Sequence, residues 1–378
     1  MNILIVVTHL LGTGHLRRAM MLARAFAGGG HQVTLASGGT EVPGLETAGI
    51  NLVQLPPLKS DGTNFTTLLT DDGVRADAAY LARRLDRLLD CIKDGPDVLI
   101  TELFPFGRRV LAPELLDILD AAQRLPRPPK ILCSIRDILA PPSKPAKAER
   151  ADQIIAQYYD AVLVHSDKAA TPLEISWPVS DALRAKLRYT GFVAPPAPEP
   201  HPDRAGEGEV LVSAGGGAVG LPVFETALRA ARLTPALHWR LLVGGADPAS
   251  AIAGLQAIAP ENATVEPARP DFPQMLNHAI CSVSLAGYNT AMDLLQTGIP
   301  ALLIPFDDGG EVEQTLRAQS LAALPGFDML LSAELSAEAM AQHVTKLSQM
   351  SRRPVQGVAM NGAAEALRIV EEIAGANT

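Results

Sequence analysis

Two α/β domains, each a doubly wound parallel sheet, are predicted by three observations. The chain has 378 residues, it repeats one order of apolar strand, glycine loop and helix, and a Pro/Gly-rich stretch separates the two repeats. A chain of this length exceeds one ordinary hydrophobic core and suits two. Apolar residues at 47% and charged ones at 19% describe a well-packed globular protein.

The elements follow in order. "NILIVV" (2–7) is an apolar run that reads as a buried strand, and the loop "HLLGTGHLRR" (9–18) leads into a helix "LRRAMMLARAFAGGG" (16–30) that ends in glycines. "HQVTLAS" (31–37) then completes a β-loop-α-β unit. Strand candidates recur at "PDVLIT" (96–101), "KILCSI" (130–135) and "AVLVHS" (161–166), separated by helical segments, as a parallel sheet covered on both faces requires. "APPAPEPHPDRAGEGE" (194–209), dense in Pro, Gly and charge, reads as a linker. The order then restarts with strand "VLVSA", glycine loop "GGGAVG", helix "LPVFETALRAARL" and strand "HWRLLVGG". The expected domains are therefore 1–193 and 210–378, joined by 194–209, with the last helix free to pack back on the first domain.

Composition removes several functions. No apolar run reaches the roughly 18 to 20 residues that span a bilayer, and the N-terminus lacks a charged region and cleavage site, so the cytoplasm is the expected location. Cys91, Cys133 and Cys281 show no C-x-x-C spacing, which indicates neither a disulfide framework nor a zinc site. A net charge of −9 argues against a nucleic-acid partner. Basic and acidic residues balance over the first 200 positions, so the whole excess lies in the second half. An anionic ligand there must be held by backbone N–H groups and helix ends more than by a basic field.

Three loops carry chemistry. In the first, Gly12 and Gly14 begin a dinucleotide fingerprint, but Arg17 stands where the third glycine belongs, and "HQVTLAS" ends without a ribose-binding acid. Behind Gly14 stands His15. At a helix N-terminus its neutral form is favoured, which suits a general base; capping the helix or binding phosphate is the alternative. In the second loop, Gly215, Gly216 and Gly217 let backbone N–H groups approach a phosphate, with no Walker lysine after them; an ordinary tight turn is the alternative. The third lies in "SVSLAGYNTAMDLLQTGIPALLIPF" (282–306). Gly287 is expected at a sharp turn, Asn289 and Thr290 as helix caps, and Asp293 on the same face, placed to accept hydrogen bonds from a ribose diol. A capped helix with an acid in its first turns is the plainer reading.

With "EVEQTLRA" after it, that third segment resembles the C-terminal signature of GT-B glycosyltransferases of the MurG type (family 28-like), the UDP-N-acetylglucosamine transferases of peptidoglycan synthesis. "GTGH" and "SAGGGAVG" extend the likeness to both halves in order. The resemblance implies two Rossmann-like domains facing a cleft, with the UDP-sugar on the C-terminal domain and the acceptor on the N-terminal one. It puts Asp293 at the family's ribose-binding Glu, Gln314 at a Gln of the donor sugar, the backbone around Arg269 at the uracil and Gly215 to Gly217 at a Gly-Gly-Ser-type loop. The family's first loop is G-G-T-G-G-H, however, where this chain has "LLGTGH", and "TELFPFGRR" (101–109) and "CSIRDIL" (133–139) have no counterpart in it. The chain looks closer to a group of predicted bacterial glycosyltransferases that share "HLLGTGHLRRA" and "FPFGRR".

The resulting expectation is a hexosyl- or N-acetylhexosaminyl-transferase with His15 as general base. Its donor is a nucleotide-sugar co-substrate, UDP-linked by the resemblance; it needs no other cofactor and, lacking a D-x-D pattern, no metal. Glu102, at a strand end where α/β clefts open, orients His15 or contacts the acceptor, or is merely a solvated strand-end charge. The acceptor, a sugar or a lipid, is expected against Gly12, Thr13 and Gly14, with Phe104, Arg108 and Arg136 as further contacts. Arg108 and Arg109 beside Phe104 and Phe106, and Arg136 with Asp137, suit an anionic or lipid-phosphate acceptor or form structural ion pairs. The stripe Leu81, Leu85, Leu88 and Leu89, with Arg83, Arg84 and Arg87 nearby, faces the core or rests on the inner face of the membrane. Two other functions stay open. Nucleotide-sugar hydrolases of pseudaminic acid synthesis share the fold and a G-x-G-H-x-x-R loop, matched by "GTGHLRR"; a non-catalytic nucleotide-sugar-binding protein is the third possibility.

Overall fold

The computed structural model describes residues 1–61, 64–214, 220–245, 248–307, 311–354 and 357–375, with the side chains of 64 and 65 left out. The chain divides into two compact units, Met1–Pro195 with Ala359–Thr378, and Pro196–Val358.

The first unit carries β1 (Asn2–Val7), β2 (Gln32–Ser37), β3 (Ile50–Gln54), the short strands β4 (Lys59–Asp61) and β5 (Asn64–Leu69), β6 (Val98–Glu102), β7 (Lys130–Arg136), β8 (Ala161–His165) and β9 (Leu187–Tyr189). Its main sheet is parallel throughout, in the order β3-β2-β1-β6-β7-β8-β9, while β4 and β5 form a separate antiparallel pair. The apolar strands explain the layering. Leu4 and Val6 of β1 enter one core with Leu99, Ile131 and Val162, while Ile3, Ile5 and Val7 enter a second with Val98, Ile100 and Leu132. Side chains alternate across a strand, so a run apolar at every position must be covered on both faces.

The helices do the covering. α1 (Gly14–Gly28) sends Leu16, Ala19, Met20, Leu22, Ala23 and Phe26 into the second core. α2 (Ala78–Asp90), α3 (Ala112–Gln123) and α4 (Pro145–Tyr158) contribute Leu88, Ile118 and Ile154 to the first, and a short α5 (Asp181–Lys186) follows. The leucine stripe of α2 faces that core: Leu88 is fully buried and Leu81 packs against the cluster. Arg84, on the same stripe, is fully buried too.

In the second unit, β10 (Glu209–Ser213), β11 (His238–Val243), β12 (Ala263–Pro267), β13 (Cys281–Leu285), β14 (Ala301–Ile304) and β15 (Phe327–Met329) form a parallel sheet in the order β12-β11-β10-β13-β14-β15. The helices are α6 (Leu221–Leu233), α7 (Pro248–Ile258), α8 (Phe272–Met275), α9 (Tyr288–Thr297), α10 (Glu313–Ala322) and α11 (Ala337–Leu347). The last helix, α12 (Gly362–Gly375), belongs to the first unit, where Ala366, Ile369 and Val370 join the core of α1. Of the segment 194–209, the residues from Pro196 on belong to the second unit. His201 is buried and paired at 3.0 Å with Asp271, and its carbonyl is 3.1 Å from His278 Nε2. Among the described residues no helix is long and apolar enough to cross a membrane.

Candidate functional site

Both sheets change direction at their first strand. β1 lies between β2 and β6, and β10 lies between β11 and β13, so the loops after β1 and β6, and the one after β13, open at switch points where α/β sheets bind ligands.

In the first unit those loops deliver His15 and Glu102. α1 starts at Gly14, two residues earlier than the sequence suggests, so His15 stands inside its first turn, with Thr13 at the N-cap making no side-chain capping bond. Gly12 takes φ +66, a left-handed conformation that strains a residue with a Cβ, and nothing lies within 4 Å of the missing side chains of Gly12 or Gly14. Glu102 ends β6, 4% exposed, which removes the solvated-charge reading. His15 Nδ1 donates to Glu102 Oε1 at 2.9 Å, and Arg18 Nη2, one turn along α1, donates to the same oxygen. Arg18 Nη2 also stands 3.2 Å from Nδ1, but the shorter approach to an ionised carboxylate favours Nδ1 as the protonated nitrogen, which leaves the Nε2 lone pair to accept a proton.

Burial decides the charges. It lowers the His15 pKa to about 4, against the raising pull of Glu102, so the imidazole is neutral at pH 7. Burial alone would raise the Glu102 carboxyl, but His15, Arg18 and Arg108 outweigh it and hold the group well below the usual carboxylate range. Arg108 follows in the loop after β6, with φ 55 in the left-handed region, as Leu103 has at φ 68. His9, after β1, is 5% exposed with Nδ1 enclosed and unpartnered, and its pKa is lowered by burial first and by Arg108 last.

The other acceptor-side residues have contacts of their own. Phe104 is 1% exposed and packs the core; its carbonyl accepts from Thr101 Oγ1 and Tyr159 Oη, both at 3.2 Å. Phe106 likewise meets Trp177 edge-on at 5.1 Å. Arg136, at the end of β7, turns Nε back to the Ile138 carbonyl at 3.1 Å. Two further side chains organise this end of the sheet, Arg84, named from sequence only as a neighbour of the leucine stripe, and His165, which sequence reading passed over. Arg84 forms a paired bond with Glu114 and reaches the carbonyls of Gly38 and Pro56 and the hydroxyl of Thr8, tying together the ends of β1, β2 and β3. His165, fully buried at the end of β8, bonds Ser134 and Thr190, each at 2.9 Å.

In the second unit, Gly215, Gly216 and Gly217 lie outside the described residues. After β13 the chain enters α9 with Gly287 as N-cap at φ −66, ψ 151, an extended conformation open to any residue, so no sharp turn demands this glycine. Asn289 and Thr290 sit within the first turn and do not cap it; among the described residues no side chain caps this end. The reason is that Tyr288 is already helical, which moves the cap to the residue before it. Asp293 is half-buried on α9, its carboxylate has no hydrogen-bond or ion-pair partner among the described residues, and burial raises its pKa to about 7. Gln314 Oε1 accepts from the Phe306 amide at 3.2 Å. Arg269 pairs with both oxygens of Asp271, at 2.9 and 2.6 Å. Arg317, 1% exposed, was not anticipated: it donates to the Ala286 carbonyl at 2.9 Å and to Glu313 at 3.0 Å, fixing the turn before α9.

Comparison with known proteins agrees with this build. Residues 239–373 match the family model of the glycosyltransferase family 28 C-terminal domain. The chain is similar to UDP-N-acetylglucosamine–N-acetylmuramyl-(pentapeptide) pyrophosphoryl-undecaprenol N-acetylglucosamine transferases of Prochlorococcus marinus (27% identical over 177 residues) and Rhodospirillum centenum (30% over 178). These matches span 46% and 43% of this chain and 46% of each relative, so the chain covers just under half the length of the relatives it matches. Among solved structures, Acinetobacter baumannii MurG aligns over 98% of this chain and 99% of its own at a TM-score of 0.65 and 16% identity. Glycosyltransferase VinC, in complex with dTDP, aligns over 100% of both chains at 0.63 and 12%. The protein thus has the GT-B fold of MurG-like glycosyltransferases, and residues 239–373 of its second half are similar to the glycosyltransferase family 28 C-terminal domain.

Proposed function

We propose that this protein transfers a sugar from a nucleoside diphosphate donor, bound by the second unit, to an acceptor hydroxyl that His15 deprotonates. The observation that carries the proposal is the His15–Glu102 pair at 2.9 Å: a neutral imidazole whose protonated nitrogen is fixed on a buried carboxylate and whose other nitrogen is free to act as base. As the hydroxyl attacks the anomeric carbon, its proton passes to Nε2 and Glu102 stabilises the imidazolium that forms. The bond from that carbon to the diphosphate oxygen breaks, and the leaving charge falls to the N-terminal end of α9, a role that needs no metal. Asp293 on the same helix is assigned the ribose hydroxyls, and a uridine donor is supported by the names of the relatives.

The test is a thermal-shift series with UDP, dTDP, GDP and their common sugar derivatives, since a ligand stabilises by its concentration over Kd. Stabilisation by one nucleoside diphosphate and its sugars is expected. No shift with any of them would remove the donor site and the reading with it.

A further inference from the structure

Around His15 stand two arginines of unlike standing. Arg18 is neutralised by Glu102. Arg108 is not: no hydrogen bond or ion pair among the described residues engages its guanidinium, and its Nε is enclosed without a partner. Its neighbour Arg109 does find one, the Phe106 carbonyl at 2.8 Å. With Arg18 and Glu102 cancelling and both His9 and His15 neutral, the cluster is left with one positive charge, on Arg108. A half-buried guanidinium whose enclosed Nε has no partner carries a cost, and the fold adds a left-handed backbone at φ 55 to place it there.

The loop is built to hold that position. The Leu103 amide donates to the Ser134 carbonyl at 2.8 Å, the Gly107 amide to the Leu103 carbonyl at 2.8 Å and the Leu111 amide to the Arg108 carbonyl at 2.8 Å. A Cβ on Gly107 would meet the Leu103 side chain at 2.8 Å, so a larger residue there would displace that side chain. Such preorganisation suits a residue that recognises a ligand group of fixed geometry.

We infer that Arg108 is a specificity-determining residue for the acceptor, which carries an oxyanion, a carboxylate or a phosphate, close to the hydroxyl facing His15. This rests on the transferase reading above and narrows its acceptor to acidic compounds. A planar guanidinium takes either oxyanion through two parallel hydrogen bonds, while neutral His9 and His15 beside it add no competing charge.

The test uses the full chain with its histidine rings isotopically labelled, at constant pH, and two probes, inorganic phosphate and acetate. Saturable movement of the His15 and His9 ring signals is expected with at least one of them, and the tighter of the two names phosphate or carboxylate. Arg108→Gln should weaken that binding about tenfold or more, and Arg108→Lys less. Undiminished binding in Arg108→Gln, or no movement with either anion in the unmodified protein, overturns the inference. Nucleoside diphosphate stabilisation on the same samples reports the donor reading separately, so the two fail distinguishably.

Discussion

His15 Nδ1 stands 2.9 Å from Glu102 Oε1, and the same carboxylate oxygen receives Arg18 from one helical turn further on. One oxygen thus fixes both the tautomer of the imidazole and the arginine beside it. The two partners should fail differently. His15→Ala is expected to lower turnover by about 10²- to 10⁴-fold while leaving nucleotide affinity intact, because the residues proposed for the donor belong to the other unit. Glu102→Gln should lower kcat with little change in donor KM and also destabilise the fold, since Arg18 loses its counter-charge. Turnover of His15→Ala equal to that of the parent would strike His15 from the chemistry.

Asp293 offers a pH signature. Burial raises its pKa to about 7, so the free protein holds it half-protonated near neutrality. If its carboxylate accepts the ribose hydroxyls, binding is tightest where the group is ionised, and nucleoside diphosphate affinity rises as pH passes upward through 7. Asp293→Asn should flatten that part of the profile. Calorimetry at pH 6 and pH 8 on both proteins checks it, and a slope surviving in the variant would point to another group.

How much of this was legible in sequence follows from periodicity. The runs 3–7 and 161–164 are apolar at every position, and little but a buried strand fits them. The pair β4 and β5 and the three-residue β9 and β15 are too short to show a period. Arg84 stood in the sequence reading only as one of three arginines near the leucine stripe, because its partners come from three separate strand ends and Glu114. The cap of α9 was misplaced for a similar reason, because it depends on the dihedral angles of Gly287 and Tyr288, which Asn289 and Thr290 do not announce. The pairing of His15 with Glu102, 87 positions apart, was suggested by strand-end placement alone; Arg18's share in it was not.

His165 should set the acid limit of the fold. It is fully buried between Ser134 and Thr190, and burial first, then Arg18, lowers its pKa to about 3. The folded-state value lies below the unfolded one of about 6.5. The neutral ring's contribution is therefore complete above pH 6.5 and is lost as pH falls toward 3. Between pH 7 and pH 4 this histidine alone should remove roughly 3 kcal/mol. His15, with its pKa about 4, acts in the same direction over most of that range. Denaturant titrations across these pH values should show His165→Asn less acid-sensitive than the parent; equal slopes would mean that His165 does not govern this limb.

Arg84 and Glu114 supply the last prediction. The arginine is fully buried and the glutamate 8% exposed, bonded at 2.7 and 3.1 Å, and three further acceptors from the loops around the first switch point converge on the same guanidinium. Arg84→Met keeps much of the volume but strands a buried carboxylate, two carbonyls and a hydroxyl, which should cost about 3–5 kcal/mol. Arg84→Met combined with Glu114→Leu removes the stranded charge, so the double variant should recover part of that loss and show a clear coupling energy in a double-mutant cycle. The loops anchored by Arg84 include Thr8, the residue before His9, and Gly38, whose neighbour Gly39 packs against the His9 ring and carbonyl. Where the double variant still folds, the His9 and His15 ring signals should move even though neither residue has been changed. Additive effects of the two substitutions, with both signals in place, would show that the pair neither supports the fold jointly nor positions the site.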